Sequence, residues 1–134
     1  MKFGVSTFLW KSPFTSHSFD LVHKIKGMGF DIIEVAVEQQ ELIDWVKLKE
    51  LIKETGLQVT VSGAFGAERD ISSEDPRIRA QGLKYIADCI KIAEHLGSPV
   101  FGGPVYSAVG KTRFITEEQK KRERSWCVEN LIKI

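Results

Sequence analysis

The run Gly102-Gly103-Pro104-Val105-Tyr106-Ser107 follows an apolar stretch and is the segment most suggestive of chemistry. Paired glycines at a strand end let a ligand approach the backbone closely, and they equally suit a tight turn without one. The run is neither a dinucleotide fingerprint nor a phosphate loop, because no G-x-G-x-x-G or G-K-[ST] occurs. Ser6, Glu34, Thr60 and Ser62 fall inside apolar runs, where hydroxyls and a carboxylate must find partners. Phe8, Trp10, Phe14 and Tyr106 can wall a sugar ring or simply anchor their loops. A metal site needs several His, Asp or Glu converging. His17, His23 and His95 are far apart, and Glu34 is the only good inward carboxylate. No nucleophile–base arrangement is legible. Glu68-Arg69-Asp70 reads as a solvated, internally paired cluster, and Lys120–Arg124 as a charged helix face.

The elements that must position these residues repeat. Three helices end on glycine and lead into apolar runs after Gly29, Gly56 and Gly97, and a fourth run opens the chain at Phe3. Glycine past the last helical turn supplies the left-handed cap that frees the chain to enter a strand. Helix, glycine and buried strand in succession predict a parallel α/β sheet. Strands are expected over 2–7, 31–37, 57–62 and 99–102. Helices are expected over 19–28, capped by Ser18; from Asp44 to before Gly56; and from Asp75-Pro76 to Leu96, with Leu83, Ile86, Ile90 and Ala93 as its apolar stripe. The last helix opens at Thr116, where Gln119 is placed to reach back to the Thr116 amide in a capping box.

Strand parity then sorts the candidates. Ile33, Val35 and Val37 share one face with Val59, Val61, Phe3 and Val5, the face expected under the helices. Ser6, Phe8, Glu34, Thr60 and Ser62 fall on the other, inner face, near the strand C-termini where barrels of this class place their sites. Small residues also simply fill a crowded barrel interior. A complete barrel takes about eight such units and ~250 residues, so four units in 134 residues read as an N-terminal half barrel in one domain over 1–134.

Composition narrows the class. Hydrophobic residues are 43% and charged residues 28%, an ordinary globular balance. A net charge of +1 implies no general attraction to nucleic acid or to an anionic membrane. The N-terminus lacks a signal-peptide pattern and no stretch approaches a membrane span. Cys89 and Cys127 sit in no metal or redox spacing and read as buried, reduced thiols of a cytoplasmic protein.

The stretch from Asp70 to Ile86, followed by Leu96 to Gly110 with its Gly102-Gly103-Pro104-Val105-Tyr106-Ser107 motif, resembles the ketose 3-epimerases. These are sugar isomerases/epimerases with the xylose-isomerase-like barrel. The resemblance implies C3 epimerisation of a free ketose such as D-tagatose or D-psicose. It also implies a divalent metal, usually manganese, held by two Glu, one Asp and one His that fall beyond the fourth strand. Ser6, Phe8, Ser62, Gly103 and Tyr106 are the substrate-binding positions it implies; catalytic and metal residues are expected to be absent from this chain. Ser6 and Ser62 depart from the tyrosine and cysteine of some members. The 134-residue chain is therefore expected to be inactive alone and to bind no metal. Open sheet edges predict a homodimer or larger assembly. A non-catalytic binding or assembly subunit is the main alternative. A doubly wound receiver- or flavodoxin-like domain fits the length, but an acidic pair, a phosphate loop and a fifth strand are all missing.

Overall fold

The computed structural model describes residues 1–134 and divides into two compact units, 1–63 with 89–102 and 64–88 with 103–134. The first unit holds the whole sheet. Its strands are β1 (Gly4–Ser6), β2 (Ile32–Val37), β3 (Gln58–Gly63) and β4 (Phe101–Gly102), all parallel in the order β1-β2-β3-β4. Sequential order with right-handed crossovers puts every connecting helix on one face. Those helices are α1 (Asp20–Gly27), α2 (Trp45–Thr55) and the last turns of α3 (Pro76–Leu96). On the helix-facing side Ile33, Val35, Val37, Val59 and Val61 are buried, as parity predicts. Phe3 is not: it stays more than half exposed at the β1 edge.

Local chemistry explains most boundaries. The Asp44 carboxylate accepts from the Lys47 amide at 3.0 Å and caps α2. Gly29, Gly56 and Gly97 all take positive φ, ending the three helices as expected. Three expectations change. Ser18 is buried in a short 3₁₀ turn, Ser16–Ser18, and caps nothing; α1 starts at Asp20 without a side-chain cap. The fourth strand spans only Phe101 and Gly102; just ahead of it the Val100 carbonyl accepts both from the Ser98 hydroxyl at 2.7 Å and from the Val61 amide of β3 at 3.2 Å. Ile90 is 40% exposed, and the buried line of α3 runs instead through Gly82, Tyr85, Ile86, Cys89, Ile92, Ala93 and Leu96. That line keeps helical spacing, displaced by one residue from the expected stripe at its middle.

The second unit holds the first part of α3, a 3₁₀ turn at Ala67–Arg69 and α4 (Glu117–Leu131). Gly82 lets the 69–71 backbone lie against α3: a Cβ there would sit 2.5 Å from the Arg69 carbonyl oxygen. The Tyr85 hydroxyl accepts from the Ala64 amide at 2.8 Å, and its ring meets Phe65 edge-on at 5.4 Å. Thr116 caps α4 by accepting from the Gln119 amide at 3.2 Å. The reciprocal half of the capping box does not form. Gln119 donates instead to Glu74 at 3.1 Å, a partner outside the helix.

Candidate functional site

In the first unit, the register assembles the inner-face candidates into rows. Ser6 stands opposite Glu34, and Glu34 opposite Thr60, so three strands contribute one hydroxyl–carboxylate–hydroxyl row. The next row toward the strand C-termini is Ala36, Ser62 and Gly102. Ser6, Glu34 and Thr60 are half-buried. Ser62 is only 8% exposed and its Oγ has no hydrogen-bond partner. A buried hydroxyl without a partner costs about 1–3 kcal/mol.

Ser6 also acts locally. Its Oγ accepts from the Phe8 amide at 3.4 Å, capping the 3₁₀ turn Thr7–Leu9. That bond leaves its O–H free to donate. Phe8 is 42% exposed, available as an apolar surface. Phe14 is not a pocket wall. It is fully buried 6.0 Å from the Phe19 ring, a core residue. Trp10 is half-buried with the Lys24 ammonium 5.8 Å from its ring.

Sequence parity missed two neighbours. The Thr7 hydroxyl, wholly buried, accepts from the Ala36 amide at 3.1 Å and continues the β1–β2 ladder one residue past β1. Glu38, one residue beyond β2, accepts from the Ser12 hydroxyl at 2.7 Å. Carrying the 34–36–38 alternation past the last apolar residue was the signal for Glu38.

In the second unit, Gly103 has φ 129°, a conformation other residues adopt only under strain. The turn alone therefore accounts for glycine at this position. Tyr106 is 68% exposed and lines a cavity of about 220 Å³ with Ser72, Ser107, Glu123, Cys127 and Val128. Beside it lies an ion cluster that the sequence did not reveal. Lys111 Nζ reaches Asp70 at 2.8 Å, Glu123 at 2.9 Å and the Ser72 hydroxyl at 2.9 Å. Arg113 also pairs with Glu123. Asp70 is thus buried and tied to a lysine far along the chain, contrary to the solvated Glu68-Arg69-Asp70 cluster expected. Glu68 and Arg69 do pair at 3.6 Å, while Arg69 also lies 4.1 Å over the Tyr85 ring. Burial disfavours the Asp70 charge, yet hydrogen bonds from Lys111 and Ser72 outweigh it and hold the carboxyl below its usual range. Burial, and then the Asp70 charge, push the Cys127 thiol up. Both cysteines are buried and neither forms a disulfide.

No three His, Cys, Asp or Glu residues come together to hold a metal ion. No helix is long and apolar enough to cross a membrane.

Residues 22–133 match the model of the xylose isomerase-like TIM barrel family. The chain belongs to that family. A ketose 3-epimerase of Arthrobacter globiformis is 29% identical over 112 residues, which cover 83% of this chain and 39% of that protein. Among solved structures, a D-psicose 3-epimerase from Clostridium cellulolyticum H10, with D-tagatose, superposes at TM-score 0.80 and 26% identity, covering 99% of this chain and 47% of its own. A D-allulose 3-epimerase from Methylomonas sp. superposes at TM-score 0.84 and 25% identity, over 99% and 47%. The chain thus spans less than half the length of these relatives. Its four parallel strands with their helices are half of a (β/α)₈ barrel of the xylose isomerase-like kind.

Proposed function

We propose that this chain is a sugar-contacting portion of a ketose 3-epimerase acting on a free ketose such as D-tagatose or D-psicose. One observation supports the reading above the others: the superposition over 99% of the chain on a D-psicose 3-epimerase crystallised with D-tagatose. In this reading Ser6, Phe8 and Ser62 contact the sugar from the first unit. Gly103 and Tyr106 are the second unit's own candidates. The divalent metal, manganese by resemblance, belongs to the same proposal, and this chain offers it no donor set. Its residues bind and orient sugar; proton transfer at C3 needs a positioned base that they do not supply. The setting proposed is cytoplasmic.

The test joins residues 1–134 to the remaining half of a matched D-psicose 3-epimerase and follows D-fructose, D-tagatose and D-psicose by chromatography with added manganese. C3 epimers from the chimera, with none from the 134-residue polypeptide, are expected. A folded chimera inert on all three ketoses overturns the reading.

A further inference from the structure

Among the inner-face positions within the strands, Gly4, Ser6, Ile32, Glu34, Ala36, Gln58, Thr60, Ser62 and Gly102, Glu34 carries the sole charge, Glu38 follows on the same alternation one residue past β2, and no Lys, Arg or His occurs among them. Neighbouring strands lie about 4.8 Å apart, and alternate residues about 7 Å apart along a strand. Ser6, Glu34, Thr60 and Ser62 therefore occupy a patch the size of a hexose, with hydroxyls on both sides of a carboxylate. The row is half-buried, so a ligand can reach it. Ser62, on the same face and more than nine-tenths buried, has no partner within the protein.

We propose that this row is a hydroxyl-reading strip for an uncharged polyol of ketose size, with Glu34 as its specificity-determining residue. The carboxylate accepts from ligand O–H groups, and a charge-assisted bond of this kind is about twice as strong as a neutral one. Ser6 and Thr60 donate to or accept from flanking hydroxyls, and Ser62 takes the one nearer the strand C-termini. With no cation on the face, an anionic group is repelled there. The inference rests on the ketose reading, but it assigns selectivity to residues that reading does not use, Glu34 and Thr60.

Ligand-observed NMR with the 134-residue polypeptide, titrated with D-psicose, D-tagatose and D-fructose, tests it. Glu34→Gln is expected to weaken binding about tenfold and to level the preference among the three sugars; Thr60→Val and Ser62→Ala should each weaken it several-fold. Glu54→Gln, on the exposed side of α2, is expected to change nothing. Should Glu34→Gln fail to fold, Thr60→Val and Ser62→Ala, which remove only hydroxyls, carry the test. Absence of ketose binding by the folded chain, or binding indifferent to these changes, overturns the inference. Glu34-dependent binding alongside an inert chimera sinks the epimerase reading and leaves the strip standing.

Discussion

Lys111 is surrounded by two carboxylates and a serine with its own side chain mostly buried, so its removal leaves two largely buried carboxylates without their cation. Breaking a buried pair by deleting one partner typically costs about 3–5 kcal/mol. Lys111→Met should therefore lower the thermal midpoint markedly in circular-dichroism melts, Asp70 suffering more than Glu123, which keeps Arg113. The pH dependence follows in sign. Asp70 has a folded pKa below its unfolded value, so its stabilisation is present above about pH 4 and is lost as pH falls through the folded value. Asp70→Asn should lower stability at neutral pH and flatten this acid limb; an unchanged limb refutes the assignment. Thr7 and Ser62 make a contrasting pair. Thr7→Val strips the Ala36 amide of its buried acceptor and should cost about 1–3 kcal/mol. Ser62→Ala removes a hydroxyl that bonds nothing in the chain, so denaturant melts should show it neutral or stabilising within about 1 kcal/mol. A clear loss of stability in Ser62→Ala would count it as structure and not as site.

Within α3, Gly82 looks like a defect, since glycine in a helix interior costs about 1 kcal/mol relative to alanine. The packed chain reverses that judgement. With the Arg69 carbonyl 2.5 Å from where a Cβ would stand, and Ile71 Cγ2 at 2.8 Å, the loop must move to admit a methyl. Gly82→Ala is expected to lose about 1–3 kcal/mol despite its better propensity. A stabilised variant in urea titration would mean the loop yields freely. The two-residue β4 and the displaced stripe of α3 teach the same lesson: pattern places an element, and the packed chain sets its detail.

At the level of the molecule, the sheet has two edge strands, β1 and β4, whose outer backbone groups no other strand of the chain takes up. Parallel sheets are ordinarily covered and closed, and open edges invite pairing. The 134-residue polypeptide is accordingly expected to self-associate, by two-fold pairing of edges, at micromolar concentration. Light scattering checks this, and a monodisperse monomer refutes it.

What could be read from residue order was whatever has a short repeat. Glycine-ended helices, apolar runs and two-residue alternation are local, so the parallel α/β class, the four strands and the sorting of Ser6, Glu34, Thr60 and Ser62 onto one face were legible in the chain itself. Contacts between distant positions leave no such trace. Asp70 and Lys111 are 41 residues apart in number but 2.8 Å apart in space, and nothing in Glu68-Arg69-Asp70 distinguishes a surface cluster from a buried one. Phe14 in the core, Gly82 under a loop and Ser62 without a partner likewise depend on what the folded chain brings, or fails to bring, to within a few ångströms.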